Sequence, residues 1–165
     1  LIPFIETYRA GDGTILVTKG ALPGKASELR LGGMICQDDN FTDLARAHGR
    51  RGAQIVAVPT NDWAQVKHYH LENAIFRAME NSYGVVRGAT NGISAVISPR
   101  GVVLASRDHF AKGPGAVVAD LPIGPGGPTL YSHLGDALAA LCGLALVVGF
   151  AIMRRRRSQG SGDHA

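Results

Sequence analysis

Seventeen consecutive residues, Ala137 to Met153, carry no charge and run directly into Arg154-Arg155-Arg156-Arg157. As a helix this run would be ~26 Å long at 1.5 Å per residue, at the short end of what crosses a bilayer core. A buried core helix can also be apolar all round. Here, however, the run follows the Gly/Pro-rich stretch Pro122 to Pro128 and is stopped by four arginines, which favours a span. Tyr131 would sit at an interface, and the positive-inside rule puts residues 154–165 in the cytoplasm and residues 1–130 across the membrane from them. The chain must therefore fold as a body (1–128), a linker (129–136), an apolar helix (137–153) and a basic, polar tail (154–165).

The net charge of +4 is located in that tail. Residues 1–153 hold 13 Lys+Arg against 12 Asp+Glu, so the body is nearly neutral and lacks the basic stripe that nucleic acid requires. Two cysteines, Cys36 and Cys142, are too few for a thiolate zinc site, and a strand end and a membrane span cannot share a disulfide. No cofactor or metal is expected. The first residue is Leu1, with no initiator Met and no signal-peptide pattern, so the sequence reads as a segment of a longer protein.

Within the body, Leu1 to Glu28 is punctuated by Pro3, Gly11, Gly13, Gly20, Pro23 and Gly24, with one short strand expected at Thr14–Thr18. Leu29 to Cys36 reads as a buried strand. Thr42 should cap a helix over 43–50, and QIVAVP (54–59) has the composition of a strand buried on both faces. The helix over 67–83 is the clearest, with Leu71, Ala74, Ile75, Ala78 and Met79 on one face. A strand at 85–88 follows, then a hairpin of 94–98 and 102–105 about Pro99-Arg100-Gly101, and a last strand at 115–121. Strands alternating with helices argue for an α/β layered domain.

Cys36 ends an apolar run and is followed by Gln37-Asp38-Asp39-Asn40. A thiol there can be a presented nucleophile or can simply pack. Thr60-Asn61-Asp62-Trp63 would lie on the same rim, because the carboxyl ends of parallel strands form sites. Trp63 could line a pocket or pack. His68 and His70, two apart on a helix, splay and are expected on its surface, as are Glu72 and Glu80, although Glu80 could contact a partner layer. Asp38, Asp39 and Asp43 lack the glycine and spacing of a calcium loop and fit supporting or solvated roles. Asn91-Gly92 fits a tight turn before a strand.

The run MICQDDNFTDLARAHGRRGAQIVAVPTNDW, followed by HLENAIFRAMENSYGVVRGATNGISAVISPRGVVLA, resembles the C-terminal half of the nitrilase (carbon–nitrogen hydrolase) superfamily. Within it, the chain looks most like the apolipoprotein N-acyltransferase branch, whose extracytoplasmic nitrilase-like domain precedes a final transmembrane helix and a basic tail. Leu1-Ile-Pro-Phe-Ile-Glu6 is similar to that branch's Leu-Val-Pro-Phe-Gly-Glu. The resemblance implies an α/β fold, the C-terminal half of an α-β-β-α sandwich with one transmembrane helix after it, in the cytoplasmic (inner) membrane. It implies Cys36 as nucleophile and Glu6 as an auxiliary glutamate. A further glutamate base and an oxyanion-binding lysine would fall upstream of Leu1, so a chain starting there would be inactive by itself.

The implied partners are the membrane, a phospholipid acyl donor and a lipoprotein whose N-terminal cysteine amine is the acceptor. Three departures touch the nucleophile's neighbours. Cys36-Gln37-Asp38 stands for Cys-Tyr-Glu, Thr60-Asn61-Asp62-Trp63-Ala64-Gln65 for Ser-Asn-Asp-Ala-Trp-Phe, and Ile5 for the glycine before Glu6. They keep open a membrane-tethered amidase or nitrilase acting on small amides or nitriles, and a catalytically silent relative.

Overall fold

The computed structural model describes residues 18–22, 25–124 and 126–160. Six strands, β1 (Thr18–Leu22), β2 (Lys25–Gly33), β3 (Ile55–Asn61), β4 (Gly84–Thr90), β5 (Ile93–Ile97) and β6 (Val103–Asp108), form one sheet in chain order. The β2–β3 and β3–β4 pairs are parallel and the rest antiparallel. Parallel neighbours need a crossover. A 3-10 turn (Cys36–Asn40) with α1 (Thr42–Arg50) provides the first, and α2 (Lys67–Asn81) the second. The carboxyl ends of β2, β3 and β4 therefore share one rim, with Cys36 just beyond β2.

Both helices lie on the same face, where Ala45 of α1 and Ala74 and Ala78 of α2 close over Val56, Val58 and Val85. Small residues on the helices against β-branched ones on the sheet bring the layers close. Gly49 is needed for this, since a Cβ there would lie 2.8 Å from Asn81 Oδ1. β3 was expected to be buried on both faces; Val56, Val58 and Thr60 are buried, but Ala57, Pro59 and Asn61 are exposed. Helices cover only one side of the strand among the described residues.

Other boundaries shift for local reasons. Cys36 lies in the 3-10 turn, because β2 ends at Gly33. Thr42 is the first residue of α1 and not its cap: the 3-10 turn runs straight in, with Phe41 N–H donating to Asp38 O (3.1 Å) and Ala45 N–H to Phe41 O (3.3 Å). α2 stops at Asn81 because Ser82 turns left-handed (φ 54°). Met79, expected in the core, is exposed and packs over Gly101, while Arg77 is buried and paired with Glu80 (3.1 Å). That pair makes Glu80 half-buried rather than a surface charge. Residues 115–121 are not a strand: they join no ladder of the sheet, and Leu121 fills the space left by Gly84. The strand expected at Thr14–Thr18 falls outside the described residues except for Thr18, which opens β1.

After β6 come α3 (His109–Lys112) and, later, α4 (Leu130–Leu134). Arg107 fastens the loop after α3 by donating to the carbonyls of Lys112, Gly113 and Pro114. Arg46 of α1 donates to Ser132 O (3.3 Å) and His133 O (3.0 Å), and Arg50 to Ser132 O (3.2 Å), which fastens α4 to α1. The chain divides into two units, residues 1–133 and 134–165. The second is dominated by α5 (Ala137–Gly160), whose segment Ala137–Arg155 has a mean hydropathy of 2.2 and is long and apolar enough to cross a membrane.

Candidate active site

Cys36 adopts φ +48°, the left-handed conformation that a side chain disfavours, at a cost of about 1–3 kcal/mol. Such a residue persists only where its surroundings fix it. Two reciprocal bonds close the turn across Cys36: Asp38 accepts from Ile35 N–H through its side chain (2.8 Å), and Asp38 N–H donates to Ile35 O (3.0 Å). The thiol is half-buried, and among the described residues its polar partner is Asn61 O at 3.8 Å. Ile35, just before Cys36, is 69% exposed; Phe41, which follows the turn, is 60% exposed, and Trp63, two residues after Asn61, 52%. Trp63 also meets the His70 ring edge-on, with centroids 6.4 Å apart. Glu6 lies outside the described residues.

Beneath the thiol is a fully buried ionic cluster centred on Arg87 of β4. Its Nη1 donates to Asp39 Oδ2 (3.1 Å) and its Nη2 to Asp62 Oδ2 (2.6 Å). Asp62 Oδ1 accepts from His70 Nδ1–H (2.8 Å) and from the Thr60 hydroxyl (3.1 Å). With its proton on Nδ1, His70 presents Nε2 to the Gln37 amide at 3.5 Å. Gln37 in turn bonds Asn40, and Asn73 of α2 donates to Asn40 Oδ1 (2.5 Å). Every residue of the 3-10 turn after Cys36 thus has a named partner.

The two carboxylates differ electrostatically. Burial pushes Asp39 up to about 6, outweighing the nearby Arg87 charge. Burial also opposes ionisation of Asp62, but its hydrogen bond from His70 and the charge and bonds of Arg87 hold it below the ordinary carboxylate value. Asp62 is therefore the firm anion of the cluster and Asp39 the one that titrates nearer neutrality.

His70 corrects the sequence expectation, since it is buried at 2% exposure and bonded to Asp62, while His68 is exposed as expected. α2 turns inward at His70 because Asp62, on the loop leaving β3, waits there for a donor. Arg87 was missed, although a lone charge inside VVRGA is a signal that a strand's buried face carries an ion pair. Asp38 and Asp39 hold the turn, and Asp43 pairs with Arg46 (3.0 Å). Among the described residues no group of three or more His, Cys, Asp or Glu side chains could hold a metal.

Residues 3–126 match the carbon-nitrogen hydrolase family model. The chain is 34% identical over 132 residues to apolipoprotein N-acyltransferase 1 of Treponema denticola, covering 77% of this chain and 24% of that protein. It is 36% identical over 137 residues to the apolipoprotein N-acyltransferase of Bradyrhizobium diazoefficiens, covering 81% and 24%. Similarity to the Geobacter metallireducens enzyme of that name, at 28%, extends over 96% of this chain and 30% of that one. The chain thus spans about a quarter to a third of the length of these relatives. Among solved structures, an amidase from Nesterenkonia whose active-site cysteine has added acrylamide superposes with a TM-score of 0.53 at 27% identity, covering 64% of this chain and 42% of that one.

Proposed function

The chain belongs to the carbon–nitrogen hydrolase family, and on that premise we propose that it transfers a fatty acyl group from a phospholipid to the N-terminal cysteine amine of a lipoprotein. The observation that carries this reading is the half-exposed Cys36 thiol on a strained turn whose ends carry the exposed apolar side chains of Ile35 and Phe41, with exposed Trp63 two residues beyond the Asn61 carbonyl that faces the sulfur. Apolar surface beside a nucleophile suits an acyl chain better than a small amide. Relatives named apolipoprotein N-acyltransferase support the same assignment.

In the first step the Cys36 thiol yields its proton to a carboxylate base, and the sulfur attacks the donor's ester carbonyl. The Gln37 N–H and a lysine of the kind the family resemblance implies hold the oxyanion. Collapse breaks the ester C–O bond, the departing alcohol takes the proton, and a thioester remains on Cys36. The acceptor amine then attacks that thioester, the C–S bond breaks, an amide forms and the thiol is restored. Glu6 serves as an auxiliary carboxylate. The domain organisation follows: residues 1–128 on the extracytoplasmic side of the inner membrane, a linker at 129–136, a span from Ala137, and Arg154–Arg157 with the tail on the cytoplasmic side.

Similarity to the Nesterenkonia amidase favours a second reading, in which water resolves the intermediate and small amides are the substrates. Incubating the full-length protein with phospholipid vesicles separates the two. Mass spectrometry should find an acyl adduct on Cys36 that Cys36→Ala abolishes. Ammonia release from small amides without a lipid adduct would replace transfer by hydrolysis, and neither product would mark a silent relative.

A further inference from the structure

We propose that Arg87 is a positioning residue for the nucleophile, tying the turn that carries Cys36 to the strand end whose Asn61 carbonyl faces the thiol. The proposal rests on the reading of Cys36 as the nucleophile. Arg87 reaches across two separate segments at once. Asp39 is in the same short 3-10 turn as Cys36, and Asp62 is the residue after Asn61. One planar guanidinium with bonds of 3.1 and 2.6 Å to these two carboxylates sets the distance between the turn and the end of β3. The second path through the cluster has the same end points: Asp62 holds His70, and His70 meets Gln37, the residue after Cys36.

No bond recorded for Arg87, Asp39 or His70 reaches the sulfur, so the cluster acts on where the thiol stands and not on the reacting atoms. Stability alone does not account for it. Buried ion pairs are often replaceable by apolar residues at no loss, whereas a fixed geometry needs directional bonds. The left-handed Cys36 has cheaper conformations available, and the bridge removes them. The sheet also leaves room for the cluster: a Cβ on Gly92 would lie 2.5 Å from Asp62 Oδ2.

The test measures alkylation of Cys36 by iodoacetamide in the full-length protein, read on the Cys36 peptide by mass spectrometry so that Cys142 does not contribute. It is paired with kcat and KM for acyl transfer and with thermal melting. Arg87→Lys keeps the charge but cannot fork two carboxylates. At temperatures where it remains folded, alkylation should slow by about 10-fold and kcat fall by roughly 100-fold with KM nearly constant, as displacement of a nucleophile from its base predicts. Gly92→Ala, which leaves Arg87 intact and presses on Asp62, should slow alkylation in the same direction. Val85→Ala, a core truncation on the same strand, should lower the melting temperature and leave alkylation unchanged. Folded Arg87→Lys or Gly92→Ala protein alkylating at the wild-type rate would overturn the proposal; if Arg87→Lys does not fold, Gly92→Ala decides alone. Alkylation requires neither lipid nor acceptor, so a failed acyltransferase assignment would appear separately, as a missing acyl adduct.

Discussion

Two carboxylates on one guanidinium respond to acid in opposite senses. Asp39, raised to about 6 by burial, contributes stability that is complete below the ordinary carboxylate value of 3.8 and is lost as pH climbs through 6. Asp62, held low, contributes stability present above 3.8 and lost on acidification. Comparing wild type with Asp39→Asn isolates the first. The stability advantage of wild type should shrink between pH 4 and pH 7 by on the order of 2 kcal/mol, seen in paired melting curves. A difference independent of pH would show that Asp39 does not titrate in this range. At this scale the sequence drew attention to Cys36, a thiol at the end of an apolar run, and the structure places it on a left-handed turn. It concealed Arg87 and His70, whose partners lie 48, 25 and 8 residues away on other elements. Spacing along one helix says that His68 and His70 diverge, and they do; it cannot say that a carboxylate waits where one of them lands.

Helices and strands were legible where a single periodicity governed them. α2 and the β5–β6 hairpin follow from apolar spacing and a Pro-Arg-Gly turn, and β3 and β4 from β-branched runs. Residues 115–121 have a strand's composition but belong to no ladder, and composition cannot supply a pairing partner. The fit of α1 against α2 was equally invisible, because it depends on which glycine meets which side chain. Gly49 faces Asn81, a buried residue pinned by its bond to Arg77 O (3.0 Å). Gly49→Ala should therefore cost about 1–3 kcal/mol through overpacking, read as a lower unfolding midpoint. An unchanged midpoint would mean that the helices can part without loss.

The whole chain combines a layered α/β body with an apolar helix whose membrane-competent segment is not buried inside the protein. If that segment spans a bilayer, a charge near its centre should be expensive, at about 2.5–3.5 kcal/mol per residue on insertion scales. Leu146→Arg with Val147→Asp should shift the protein from the membrane pellet to the supernatant on alkaline carbonate extraction, provided that no other segment of the full-length protein anchors it. This helix and its arginine stop were the most legible feature of the sequence, because an uncharged run of that length shows itself at every residue. What the sequence did not disclose is how the body ends. Arg46 and Arg50 grip the carbonyls of Ser132 and His133, so the exit of the polypeptide is pegged to the helix that opens immediately after the thiol's own turn. Counting back along the chain from the apolar helix, the first grip on the body is thus at α1, beside the turn that carries Cys36, and not at the sheet's outer strands.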